Sequence, residues 1–189
     1  KAHHVTPDSE EIQLTVPLDF FMMTDHSEFM GLAAMALDEN SGVYNTEMGK
    51  LLRAGNMKSG AKALFLMQKA ISDGALPEGY SFDSFKSVWQ QVVDNAEKFN
   101  EPGKFTTFVA YEWTSMPMGE NLHRNVIFRD NADKASKVEP YTTMKPLGSD
   151  NPVDLWKWMD AYQQATGGRV LAIAHNGNLS NGLMFPTVE

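Results

Sequence analysis

The stretch Leu18-Asp19-Phe20-Phe21-Met22-Met23-Thr24-Asp25-His26-Ser27-Glu28 decides how this chain is read. Its apolar run, broken only by Asp19, suits a strand buried on both faces. The run ends abruptly in Thr24-Asp25-His26, a polar rim. From Phe29 to Leu37 the large apolar residues take helical spacing, with Ser27 or Asp25 placed to cap the helix. Strand, polar rim, helix is the opening of an α/β unit.

Downstream the same grammar recurs. From about Glu47 to Phe99 the pattern is helical, punctuated by Gly74 and Pro77, with Ser81 or Asp83 as cap of the last helix. Phe105 to Trp113 is β-branched and aromatic and is expected as a strand. Asn125 to Phe128 is the next short strand. A helix follows over about Pro152 to Ala165, capped by Asn151 or Asp150, and Val170 to Ala174 is a final buried strand before His175-Asn176-Gly177-Asn178. Four strands alternating with helices make an α/β pattern. They are few for a closed barrel, so an incomplete one with an exposed sheet edge is expected.

Three apolar strands therefore end in potential ligands: Asp25 with His26, Glu112, and His175. In α/β sheets functional groups gather at the carboxyl ends of the strands. His123 precedes its strand instead. An antiparallel hairpin of residues 105–112 with 124–129 would set it beside Glu112, across a loop of about ten residues. Three imidazoles and two carboxylates without thiolate suit Zn, Mn or Fe, and Glu112 is the candidate to bridge two ions. Arg124, with Asn125, is placed to clamp a phosphate, and Asn176 to orient substrate or to build its turn. The plainer alternatives are a helix-cap role for His26, a solvated surface Glu112 and a turn-building His175.

Thr24-Asp25-His26, Tyr111-Glu112-Trp113, His123 and Ala174-His175-Asn176 resemble successive motifs of the PHP (polymerase and histidinol phosphatase) superfamily. The wider wording, from Pro17-Leu18-Asp19-Phe20 through Leu122-His123-Arg124-Asn125-Val126 to Ile173-Ala174-His175-Asn176, resembles a bacterial PHP-like branch known as domain of unknown function 3604. The resemblance implies a distorted (β/α) barrel with a helical insertion (about residues 38–100) between the first and second strands. It implies a cluster of two or three divalent metal ions, usually hydrolysing phosphoesters by a metal-bound hydroxide. By motif Glu112 is the bridging carboxylate, His123 and His175 bind one ion, His26 another, and Asp25 is ligand or orienting group. Glu112 and Asp25 are the catalytic candidates.

The family pattern also opens with His-x-His and closes with Asp-x-His, and neither occurs here; His3-His4 lacks that spacing. The chain opens at Lys1 without Met and stops at Glu189, so it reads as an internal fragment: a lead-in over 1–16, then one incomplete domain over 17–189. Two rival readings follow, a non-catalytic ligand- or protein-binding remnant of the barrel, and hydrolysis of a non-phosphate bond.

The chain has 189 residues, 42% of them hydrophobic, enough to bury a core. Sixteen Lys and Arg against 24 Asp and Glu leave a net charge of −8, which argues against a nucleic-acid or anionic-membrane partner. A small-molecule phosphoester is the partner expected, together with homo-oligomer formation through the exposed sheet edge. There is no Cys, and hence no thiolate site or disulfide. No run reaches the roughly 18 apolar residues of a membrane span, and no signal peptide is visible. Relatives in the resembled branch often look exported, so a periplasmic or exported location is what the likeness implies. No P-loop, dinucleotide turn or nucleophile elbow occurs.

Overall fold

A computed structural model describes residues 3–5 and 11–185, the first of these and 11–13 by backbone alone. Pro7, Glu10 and the terminal 186–189 lie outside the described residues. Within the lead-in, β1 (His3–Val5) and β2 (Glu11–Gln13) pair antiparallel.

The functional half of the molecule is a short wall of strands. β3 (Phe20–Met22) runs parallel to β4 (Thr106–Phe108). After the single residue Val109 the chain re-enters strand as β5 (Ala110–Trp113), which pairs antiparallel with β6 (Arg124–Phe128), and β6 pairs antiparallel with β7 (Val170–Ala174). A parallel bridge between His26 and Glu112 continues the β3 side past Val109 and links the two-stranded β3–β4 sheet to the three-stranded β5–β6–β7 sheet. Among the described residues the strands do not close into a barrel; the architecture is mixed α/β.

Helices α1 (Leu32–Leu37), α2 (Glu47–Ala54), α3 (Met57–Asp73) and α4 (Phe82–Phe99) fill the interval between β3 and β4. Their ends follow local chemistry. Thr46 and Ser81 side chains accept the orphan N–H groups of Gly49 and Ser84, and Asn56 with Ser59 forms a capping box. The expected cap of α1 by Ser27 or Asp25 is not made. The chain first turns through Phe29 and Gly31, both at positive φ, and Ser27 is instead buried, its N–H donating to the Glu112 carbonyl at 2.8 Å. A short α5 (Ala132–Ala135) and then α6 (Pro152–Thr166) complete the set. In α6 Asn151 caps the first turn and Gly167, in the left-handed region, ends it.

Pleating divides the wall into two faces. Tyr111, Trp113, Val126 and Phe128 lie on one, all buried against helices α4 and α6. Trp89 of α4 and Trp158 and Tyr162 of α6 pack edge-on against Tyr111 and Phe128, with ring centroids 5.1–6.3 Å apart. Such rings bury large apolar area and gain about 0.5–1.5 kcal/mol per pair from geometry.

The other face carries Glu112, and with it Phe20, Leu171 and Ile173, which are 58%, 57% and 48% exposed. Here the sequence expectation is corrected. The 18–23 run is not buried on both faces: Leu18, Phe21 and Met23 are exposed too, and α4 faces the run only across a groove lined by Val92, Ala96 and Phe99. β7, expected as a buried strand, is half-buried on one face and exposed on the other. No helix of the described residues is long and apolar enough to cross a membrane.

Candidate functional site

Glu112 is the centre of the site because of its place in β5. Flanking Tyr111 and Trp113 are fully buried on the core face, and strand alternation turns Glu112 the other way. Its backbone is tied on the β3 side at both ends: Glu112 N–H donates to the Asp25 carbonyl at 2.8 Å and the Glu112 carbonyl accepts from Ser27. This places His26 directly alongside. On the other side, β6 pairs with Glu112 opposite Asn125, so the residue two places earlier, His123, lies just beyond the end of the ladder on the same face. The β6–β7 register pairs Arg124 with Ala174 and brings the neighbouring His123 and His175 together, His175 N–H donating to the His123 carbonyl at 3.0 Å.

Three imidazoles consequently surround one carboxylate. His123 Nδ1 is 2.8 Å from Glu112 Oε1, His175 Nδ1 is 3.6 Å from the same oxygen, and His26 Nδ1 is 3.7 Å from Oε2. The rings step across the site, His26 to His123 and His123 to His175, each 6.2 Å between centroids. Exposure rises outward: the side chains of Glu112, His123, His175 and His26 are 6%, 16%, 41% and 61% exposed. Burial works to raise the Glu112 carboxyl, but His123, with His26 and His175, outweighs it and holds the group below its ordinary range.

The fit of a metal ion rests on donors and on partners. Imidazole and carboxylate are the donor types that Zn, Mn and Fe take. Among the described residues Glu112 Oε1 and His123 Nε2 are buried without an assigned hydrogen-bond partner, although His123 Nδ1 lies 2.8 Å from Oε1. Buried polar atoms in this state want a further partner. Among the described residues, however, no three His, Asp or Glu side chains are spaced as a ready metal cage. The side chains present thus match an ion in chemistry, and their spacing would have to adjust to hold it.

The remaining sequence candidates fall elsewhere. Asp25 joins Glu112 through its backbone, and its residue lines a separate groove with Phe21, Val92 and Phe99. Arg124, one residue from His123, is turned to the opposite face; it donates to the Leu122 carbonyl and lies over the Trp156 ring at 5.3 Å. Asn176 builds its turn, its Oδ1 accepting from Asn178 N–H and from Asn121 Nδ2.

Three residues outside the site expected from sequence hold it together. Asn121 is buried, accepts the His123 N–H at 2.9 Å, and donates to Asn176 and to the Asn178 carbonyl. Thr114 Oγ1 lies 2.5 Å from His26 Nδ1. Glu28 accepts from Ser27, from Thr114 N–H, and from Thr142 Oγ1 and Thr143 N–H, binding three loops around one carboxylate. Glu28 sits within the motif Thr24-Asp25-His26-Ser27-Glu28, which was the available hint, but apart from Ser27 its partners are 86 to 115 residues away.

The family described as Protein of unknown function (DUF3604) matches residues 2–189, and the chain belongs to that family. No curated protein and no solved structure matches it.

Proposed function

We propose that the Glu112 cluster is the centre of a PHP-type metal-dependent hydrolase acting on phosphoesters. The observation that carries this reading is the convergence of three imidazoles, from three separate strand ends, on one buried carboxylate with an orphaned oxygen. Structural histidines are ordinarily satisfied one at a time, and three around one acid at a cleft rim is the arrangement of a site.

Zn, Mn or Fe bound by His26, His123, His175 and Glu112 would acidify water and draw charge from the non-bridging ester oxygens. Glu112 keeps the negative charge that holds cations here, since its carboxyl stays below the ordinary range. Asn121 fixes the backbone of His123, and Thr114 fixes the ring of the exposed His26. The barrel that the likeness implies, and an exported location, belong to this same reading.

Metal analysis of the purified protein and hydrolysis of para-nitrophenyl phosphate test it. Co-purified Zn, Mn or Fe and activity lost in Glu112→Gln are expected. Neither metal nor a response to Glu112→Gln overturns it. Metal uptake together with turnover of a carboxylic or sulfate ester, and none of the phosphate, transfers the chemistry to another bond.

A further inference from the structure

We infer that the substrate of the Glu112 centre is a phosphomonoester of an apolar alcohol, aromatic or branched, whose organic group is gripped by the helical insertion. This rests on the hydrolase reading and adds the substrate class to it.

A cavity of about 660 Å³ begins at His26 and Thr114 and extends away from the cluster. That volume falls within the range of small-molecule sites, roughly 300–1,000 Å³. Its far walls are apolar: Leu64, Met67 and Ile71 of α3 on one side, Met116 and Met118 of the loop after β5 on the other. Methionine adapts to irregular apolar shapes and stacks its sulfur against aromatic rings. Met118 stands at positive φ and is 93% exposed, an apolar side chain held out where a bound ring would cover it.

Polar side chains share the cavity, among them Gln68 and Ser72 of α3 and Ser149 and Asp150 before α6. Thr143 is 6% exposed and, among the described residues, its Oγ1 has no hydrogen-bond partner, so a buried hydroxyl is open to a polar atom of the ligand. Lys145 lines the same cavity and brings a positive charge to it. Glu28 is already engaged by four donors, so it does not compete. Against the wall of Leu64, Met67, Ile71, Met116 and Met118 a sugar or glycerol group would set hydroxyls on apolar side chains, whereas an apolar group removes both surfaces from water.

The test compares 2-(1-naphthyl)ethyl phosphate with glycerol 3-phosphate, both esters of primary alcohols with similar leaving groups, in two measurements. With metal supplied, kcat/KM is expected to favour the naphthyl ester by at least about tenfold, and Met67→Gln or the half-exposed Leu64→Gln is expected to reduce that ratio by about tenfold. In chelator-treated protein, naphthyl fluorescence is expected to report binding that glycerol 3-phosphate does not displace and that Met67→Gln weakens. Equal kcat/KM for the two esters, or a ratio indifferent to both variants, overturns the inference. Absence of hydrolysis of both esters, with naphthyl binding retained and sensitive to Met67→Gln, overturns the hydrolase reading while upholding the apolar site. Absence of naphthyl binding overturns the site itself.

Discussion

Nδ1 of His123 stands 2.8 Å from Oε1 of Glu112 while Nε2 of the same ring is buried and unpartnered. One nitrogen of the imidazole faces a carboxylate and the other has no hydrogen-bond partner among the described residues. The rings act on the acid. Burial pushes the Glu112 carboxyl up while His123, with His26 and His175, holds it low, so His123→Ala is expected to raise the Glu112 pKa. Carboxylate NMR titration of the metal-free protein reads it directly, and an unchanged Glu112 titration in that variant would mean that the ring does not hold the charge.

Asn121 ties the start of β6 to the turn after β7 through three hydrogen bonds. Asn121→Ala leaves the His123 N–H and two turn acceptors without their partner in a buried place. A loss of about 2–3 kcal/mol in unfolding free energy is expected, since each unsatisfied buried group costs about 1–3 kcal/mol and some will find water. Asn176→Ala removes one of these bonds and should cost less, near 1 kcal/mol. Urea denaturation of the two variants compares them, and equal losses would show that Asn121 is not the hub.

Asp130 behaves as a pH-dependent brace between α6 and the start of β7. Burial pushes its carboxyl up, but the Arg169 N–H, the Tyr162 hydroxyl and Lys134 prevail and hold it low; Tyr162 in turn is pushed up to about 12 by burial and by this acid. A carboxyl lower in the folded than in the unfolded state stabilises above the unfolded value, and that stabilisation fades as pH falls through the folded value. Stability should therefore be constant near neutrality and decline below about pH 4. Asp130→Asn should be less stable by about 1 kcal/mol at pH 7, and the gap from the unaltered protein should close on acidification. Thermal unfolding between pH 3 and 7 measures it.

Which parts of this were legible follows from range. Helix caps at Ser81 and Asn151, the Gly74 and Gly167 stops and the hairpin that brings His123 to Glu112 are written in neighbouring residues, and the structure has them. Period-two alternation also places Arg124 opposite His123, so its absence from the site was available from spacing alone. Glu28 and Asn121 were not, because a buried carboxylate or amide whose partners lie tens of residues away has no local periodicity. The burial of β3 misled for another reason. Apolar content records what a strand is built to meet, and for Phe20, Leu171 and Ile173 that counterpart is not among the described residues.

That uncovered face gives the last expectation. Among the described residues β7 is an edge strand, with Leu171 and Ile173 exposed, and β3 exposes Phe20 and Phe21 at the other end of the wall. Unpaired N–H and C=O groups next to exposed apolar side chains are a template for another strand. The protein is expected to self-associate at micromolar concentration, and Ile173→Lys should return it to monomer by placing a charge on the pairing face. Because Ile173 is half exposed, the substitution should change unfolding free energy by less than about 1 kcal/mol. Sedimentation equilibrium distinguishes the outcomes: a monomer at all concentrations in the unaltered protein, or an Ile173→Lys variant that associates equally well, removes the edge as an interface.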